Sequence, residues 1–271
     1  MKKILFLFFL LLIGTFVQAH PILDGLEKSY QSKKHSHLMT YLEGLRDQST
    51  DDVEYGYSTK IHREIVAGYI ESKYEIKQST LNKGIGRSWI VDRFKISIIN
   101  LENKIVFYRI DEVKYLENLI GNMVQTPILI KQSKVIERYQ YFEKSFLNTY
   151  GAPLNFDDLF VDNIVYGSIC GFGGQDPKYR EELNLFIEKK DKIALLKWLS
   201  SATTELQIYA IDGILSLSKK GVRFKAETYE TIKLISQKEG DVYTCSGCTH
   251  WNRPIKEIVR TIFVKYDFIE E

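Results

Sequence analysis

Two periods of apolar residues divide the chain. Between Ile22 and Leu45, Leu23, Leu26, Tyr30, Leu38, Tyr41, Leu42 and Leu45 recur at helical spacing. The polar middle of that segment (Lys33, Lys34, His35, His37) predicts two short helices meeting there. Residues 47–54 are polar and acidic and read as a loop. Ile61, Ile65 and Tyr69 recur every fourth residue and predict a further helix over Tyr57–Tyr69. The period then falls to two. Tyr74 and Ile76 alternate with charged residues, Phe94, Ile96 and Ile98 with Lys95 and Ser97, and Val106, Tyr108 and Ile110 with Phe107 and Arg109. Glu102-Asn103 reads as a hairpin turn, because Asn tolerates the positive φ that tight hairpins demand. Thr126–Lys131 is a last short strand with Pro127 near its start, where a missing N–H is tolerated. Together these runs predict a small antiparallel sheet with the N-terminal helices covering one face, since uncovered hairpins are marginal in water.

Past Ser133 the helical period returns. Val135, Tyr139, Phe142 and Phe146 share one helix face, and Gly151 and Pro153 end that helix. Asp176-Pro177 then opens a series of short helices at 178–188, 191–200, 204–219, 226–238 and 254–266. Thr204 with Gln207 reads as a capping box, and Gly221 stands where a C-cap glycine belongs. The predicted fold class is therefore α+β: N-terminal helices with a small antiparallel sheet over 20–132, then an all-α C-terminal array of short helix pairs over 133–271. Within that array, Leu195–Lys219 (LLKWLSSATTELQIYAIDGILSLSK) resembles the inner and outer helices of a HEAT-type repeat. The resemblance implies stacked helices with an extended interaction surface; a plain helical bundle answers the same spacing.

The first residues carry a different message. Lys2 and Lys3 precede an unbroken apolar run from Ile4 to Ile13, and Val17-Gln18-Ala19 supplies small residues at the −3 and −1 positions of a signal-peptidase site. The run is shorter than the roughly 20 residues of a spanning helix. Residues 1–19 thus read as a secretory signal cleaved between Ala19 and His20, leaving no stable membrane span. The protein is expected to be exported to a periplasm or cell exterior, with a bacterial origin inferred from the style of the leader. Removing Lys2 and Lys3 reduces 37 basic residues to 35, against 35 acidic ones. A neutral chain with charge runs of mixed sign, such as Lys189-Lys190-Asp191-Lys192, is not a nucleic-acid binder.

Of 271 residues, three are cysteines: Cys170, Cys245 and Cys248. In an exported chain they predict a disulfide, and a bridge from Cys170 to either partner closes a long loop. Cys245-Ser246-Gly247-Cys248 also has the spacing of a redox pair, without the strand-into-helix setting that lowers a thiolate pKa. Cys170, Cys245, Cys248 and His250 could alternatively complete a zinc site, the one cofactor the sequence suggests. A fourth reading leaves the cysteines as reduced, buried thiols. His35 and His37, two apart on a helix, point apart and read as surface residues, as does His62. Gly171, Gly173 and Gly174 lack the rest of a phosphate loop and read as a turn, and Asp157-Asp158 and Glu181-Glu182 as helix N-terminal charges. The sequence shows no catalytic constellation. It favours a non-enzymatic binding or interaction module whose partner is a protein or a cell-envelope component. The alternatives are an enzyme or thiol-redox protein using Cys245 and Cys248, or a zinc-organised C-terminal site.

Overall fold

A computed structural model describes residues 20–84, 88–117, 123–161, 164–171 and 173–268. The predicted leader and Ala19 lie outside these residues. Helices α1 (Pro21–Gln31) and α2 (His35–Gly44) form as the spacing predicts, with His20 at the N-cap and Pro21 in the first turn of α1. They bury Ile22, Leu26, Tyr30, Leu38 and Leu42, and Lys33 makes the break between them with φ 55°.

Five long antiparallel strands follow in the order β1 (Val53–Val66), β2 (Tyr69–Asn82), β3 (Ser88–Leu101), β4 (Lys104–Glu117) and β5 (Met123–Lys134). The helix expected over Tyr57–Tyr69 is not formed; those residues build β1, a hairpin turn and the first residue of β2. A four-residue spacing is also a multiple of two, so Ile61, Ile65 and Tyr69 fit either period. The β-branched content of the segment (Val53, Thr59, Ile61, Ile65, Val66) then favours the strand. Ala67 and Gly68 turn it with φ 47° and 79°, the mirror-image geometry matched to strand twist, and Glu102-Asn103 does the same between β3 and β4 with φ 47° and 69°.

One face of the sheet presents Tyr74, Ile76, Phe94, Ile96, Ile98 and Ile110 to α1 and α2 in a single apolar cluster. The opposite face changes along its length. Near the β1–β2 and β3–β4 turns it is apolar: Ile65, Tyr69, Ile99 and Phe107 pack with Tyr139, Phe142 and Phe146 of α3 (Ile136–Tyr150) and with Leu159 and Ala202. Farther from the turns it carries Lys73, Glu75, Lys95, Ser97, Arg109 and Asp111.

The expected all-α C-terminal array, whether HEAT-like or bundle, is overturned by a second sheet. Strand β6 (Tyr166–Cys170) precedes helices α4 (Lys178–Lys189), α5 (Lys192–Leu199), α6 (Thr204–Lys219) and α7 (Ala226–Ser236). Strands β7 (Asp241–Gly247) and β8 (Thr249–Pro254) follow, then helix α8 (Ile255–Tyr266). β6 pairs with β7 in parallel, and β7 with β8 antiparallel. The segment Gly240–Thr244 looks too polar for a core strand, yet Val242, Thr244 and Cys245 are buried. Thr244 is satisfied there because its hydroxyl donates to the Trp251 carbonyl at 2.8 Å.

The helices themselves match the predicted spans to within a residue or two, but they do not stack as repeats. α6 is buried from Thr204 to Leu217 on all sides, the mark of a central helix rather than of one layer in a solenoid. Gly213 allows that centrality: a Cβ there would stand 2.6 Å from Leu195 and 2.7 Å from Leu183. The capping box is also absent. Thr203, not Thr204, is the N-cap; its hydroxyl donates to the Asp158 carbonyl at 2.6 Å, while the Gln207 amide donates to the Leu199 carbonyl at 3.3 Å.

Candidate functional site

The C-terminal elements sit over the charged part of the sheet and leave a cleft of about 460 Å³ between them. Its floor follows from strand register. Glu75, Lys95 and Asp111 lie opposite one another across β2, β3 and β4, and Lys73, Ser97 and Arg109 form the next row. Glu71 begins a third row, with Arg63 opposite it on β1. Phe160, Val161, Ile164, Glu205, Tyr243, Trp251 and Asn252 form the opposing wall, and Gln125 and Pro127 of β5 close one side. Five basic residues (Lys60, Arg63, Lys73, Lys95, Arg109) stand against four acidic ones (Glu71, Glu75, Asp111, Glu205), an excess of one positive charge.

A buried ion-pair group joins the two walls. Arg63 donates from Nε to Glu71 at 3.0 Å and from Nη1 to Glu205 at 2.7 Å, and all three side chains are almost wholly enclosed (2%, 4% and 3% exposed). Burial works against the Arg63 charge, but Glu205 and Glu71 overcome it and hold its pKa above the usual value. Burial likewise pushes Glu71 up, and Lys73 with Arg63 outweighs it to hold Glu71 below the ordinary carboxylate range. Behind this group Lys238 is buried. It donates to the Gln207 side chain at 2.8 Å, and its Nζ lies 5.2 Å from the centre of the Tyr150 ring. Burial, followed by the nearby Arg63 charge, pulls Lys238 down to about 7. Gly240 brings the C-terminal elements onto β1: its φ is 102°, and any Cβ would collide with the Arg63 backbone. The Glu64 N–H donates to the Glu239 carbonyl at 2.9 Å alongside.

Toward the mouth the charges are held as pairs. Arg109 gives Nε and Nη2 to Asp111 at 2.7–2.9 Å, with its guanidinium 4.7 Å from the Phe160 ring centre. Glu75 is surrounded by Lys60, Lys77 and Arg93 at 3.1–3.7 Å, and these cations outweigh the upward push of burial to hold it below the usual range. Lys73 reaches Glu71 at 3.3 Å. Trp251 and Tyr243 are partly exposed at the rim, and His250 stacks on Tyr243 with 5.6 Å between ring centres.

The cysteines lie in the three-stranded sheet, outside this cleft. Cys170 and Cys245 form a disulfide with Cα atoms 5.7 Å apart, fastening β6 to β7, and Cys248 is exposed and free. Cys245 is therefore bonded to Cys170 and not to its neighbour in the Cys-x-x-Cys, and two sulfurs of the conceived zinc set are joined to each other. His250 lies opposite Cys245 on β8 with its ring on Tyr243. Among the described residues no group of three or more His, Cys, Asp and Glu side chains is placed to hold a metal ion. Next to the disulfide, Asp212 accepts from Arg180 at 2.6 Å, Lys265 at 2.9 Å and Tyr266 at 2.8 Å, and Arg180 donates onward to the Gly167 carbonyl. That network ties β6 to the helices.

His20 caps α1 with its Nε2 3.7 Å from Asp92. His35 is not simply a surface residue: its Nε2 bonds the Tyr74 hydroxyl at 2.8 Å, and burial, then the His62 charge, lowers its pKa. His37 and His62 are exposed as expected. The glycines at 171, 173 and 174 all have positive φ and form a turn, within which Asp176 accepts the Ile169 N–H.

Comparison with protein families, characterised proteins and solved structures returns no match to this chain. The chemistry of the cleft therefore rests on its own residues. Sequence reasoning missed that cleft, although the floor residues were visible as polar or charged positions alternating with the sheet core. What no spacing encodes is the wall that covers them.

Proposed function

We propose that the protein is an exported, non-enzymatic binding module and that the cleft between the five-stranded sheet and the β7–β8 hairpin is its ligand site. One observation carries this reading. A face that a solvated sheet would present openly to water is instead partly enclosed, with polar side chains fixed by ion pairs and aromatic rings at the rim. Preorganised polar groups in a concave site, with an apolar wall opposite, are the common design of small-ligand pockets. Export is supported by the leader, by the Cys170–Cys245 disulfide, which persists in oxidising compartments, and by the lack among the described residues of a helix long and apolar enough to cross a membrane. An envelope component or a protein segment in that compartment is the partner this reading takes.

The test is thermal unfolding of the mature chain with a trisaccharide containing a single galacturonic acid residue, muramyl dipeptide, uridine monophosphate and an acidic peptide, each at millimolar concentration. At least one raises the Tm of the wild type and leaves Lys73→Glu/Arg109→Glu unmoved. A set of four without effect on the wild type, or an equal shift in both proteins, overturns the assignment of the cleft. N-terminal sequencing of the exported protein tests the compartment: a chain beginning at His20 is expected, and a cytoplasmic chain beginning at Met1 contradicts it.

A further inference from the structure

The geometry points to a ligand class for this cleft: we infer that it takes an acidic saccharide, a hydroxyl-rich ring system carrying a carboxylate. The inference rests on the binding reading above and narrows it.

The floor holds both signs of charge. Glu75 and Asp111 are acceptors only, so a ligand seated on them brings hydroxyl or N–H donors. Lys73 spends one of its three N–H donors on Glu71, and its remaining donors suit hydroxyl and carboxylate oxygens. The excess of one positive charge accommodates a single carboxylate.

A phosphate fits less well. The planar forks that grip a dianion are already committed, that of Arg63 to Glu71 and Glu205, and that of Arg109 to Asp111. The two floor carboxylates would repel a second negative charge.

An extended peptide fits less well for a different reason. Peptides that bind sheets draw affinity from main-chain hydrogen bonds at an open edge. Here the floor is a sheet face whose backbone is paired from β2 to β4, so recognition falls to side chains alone. Closely spaced hydroxyls answer that surface, and the aliphatic face of a sugar ring answers the exposed rings of Trp251 and Tyr243.

Isothermal titration of the mature protein, disulfide intact, tests the assignment. The probes are the trisaccharide with a single galacturonic acid residue, which carries one carboxylate, its methyl ester, uridine monophosphate and an acidic hexapeptide. The trisaccharide should bind, with affinity at least about tenfold weaker for the ester and for Trp251→Ala, each factor of ten being one lost contact of ordinary strength. Trp251 is exposed enough for the variant to fold, and an unchanged Tm verifies it. Equal binding of acid and ester would remove the carboxylate from the proposal. Binding of the nucleotide or the peptide in place of the saccharide would overturn the ligand class while sustaining the cleft. Saccharide binding that Trp251→Ala and Lys73→Glu leave unchanged would place it elsewhere and overturn both readings.

Discussion

Arg63 is the residue on which the joint between sheet and C-terminal elements most depends, and Arg63→Met isolates its charge. The substitution keeps much of the side-chain length while removing the cation between two buried carboxylates. Glu71 retains Lys73 at 3.3 Å, whereas among the described residues Glu205 retains the Tyr243 N–H at 3.2 Å and no cation. One carboxylate is thus stranded, and breaking a buried pair in this way costs about 3–5 kcal/mol. Part of that cost is returned by Lys238. The Arg63 charge is among the causes that hold it down, so in the variant it gains a proton and supplies a replacement cation. The expected loss is therefore near the lower bound, about 3 kcal/mol, or about 6–12 °C in Tm for a chain of this size. Urea unfolding at pH 7.5 measures it. Lys238→Met sharpens the test, because it should stabilise the wild type and destabilise Arg63→Met. Loss of less than about 1 kcal/mol in the single variant, or an effect of Lys238→Met with the same sign in both backgrounds, would refute the account of this cluster.

Four further outcomes are expected. Because the folded-state pKa of Lys238 is about 7, well below its unfolded value, the unfolded chain binds a proton between those limits that the folded chain does not, and stability rises with pH there. Relative to Lys238→Met, the wild type should gain about 2 kcal/mol between pH 7.5 and 9 in parallel urea titrations, and a flat difference would contradict it. Cys170→Ser opens a loop closed over a separation of 75 residues and should cost about 4 kcal/mol in denaturant. Alkylation of the native protein should modify Cys248 alone, and peptide mapping that pairs Cys248 with either other cysteine would contradict this arrangement. Gly240→Ala, at φ 102° against the Arg63 backbone, should destabilise by about 2 kcal/mol or more, measured by thermal unfolding, whereas a neutral result would mean that the β1 contact is not formed.

Much of the fold was legible because its signals are local. The stripes of α1 and α2, the turn at Glu102-Asn103, and the helical stripes of α3 to α8 each depend on neighbours within a few residues. The failures have two physical sources. Ile61, Ile65 and Tyr69 satisfy both periods, so only β-branched content and a hairpin at Ala67-Gly68 could have settled β1. Strands β6, β7 and β8 are only five to seven residues long, and β6 finds its partner β7 some 75 residues along the chain, where the disulfide and the Asp212 network hold it. The cysteines were legible as a probable staple of unknown connectivity; the register that sets Gly167 beside Cys245 decides the pairing. For the cleft, alternation placed Lys73, Lys95 and Arg109 on the non-core face. Their enclosure depends on Gly240 and on Glu205, 96 to 167 residues away.

Hydrogen exchange of the mature protein with and without the same trisaccharide tests the central claim, that the covered face of the sheet is the binding site. Protection should rise around residues 59–63, 73–75 and 95–97 and at 243, 251 and 252, where the chain lines the cleft, and stay unchanged on α1 and α2 behind the sheet. Protection confined to the exposed apolar residues 89–91, 115–116 and 123–124, or spread over the helices α4 to α7 with none in the cleft, would contradict it.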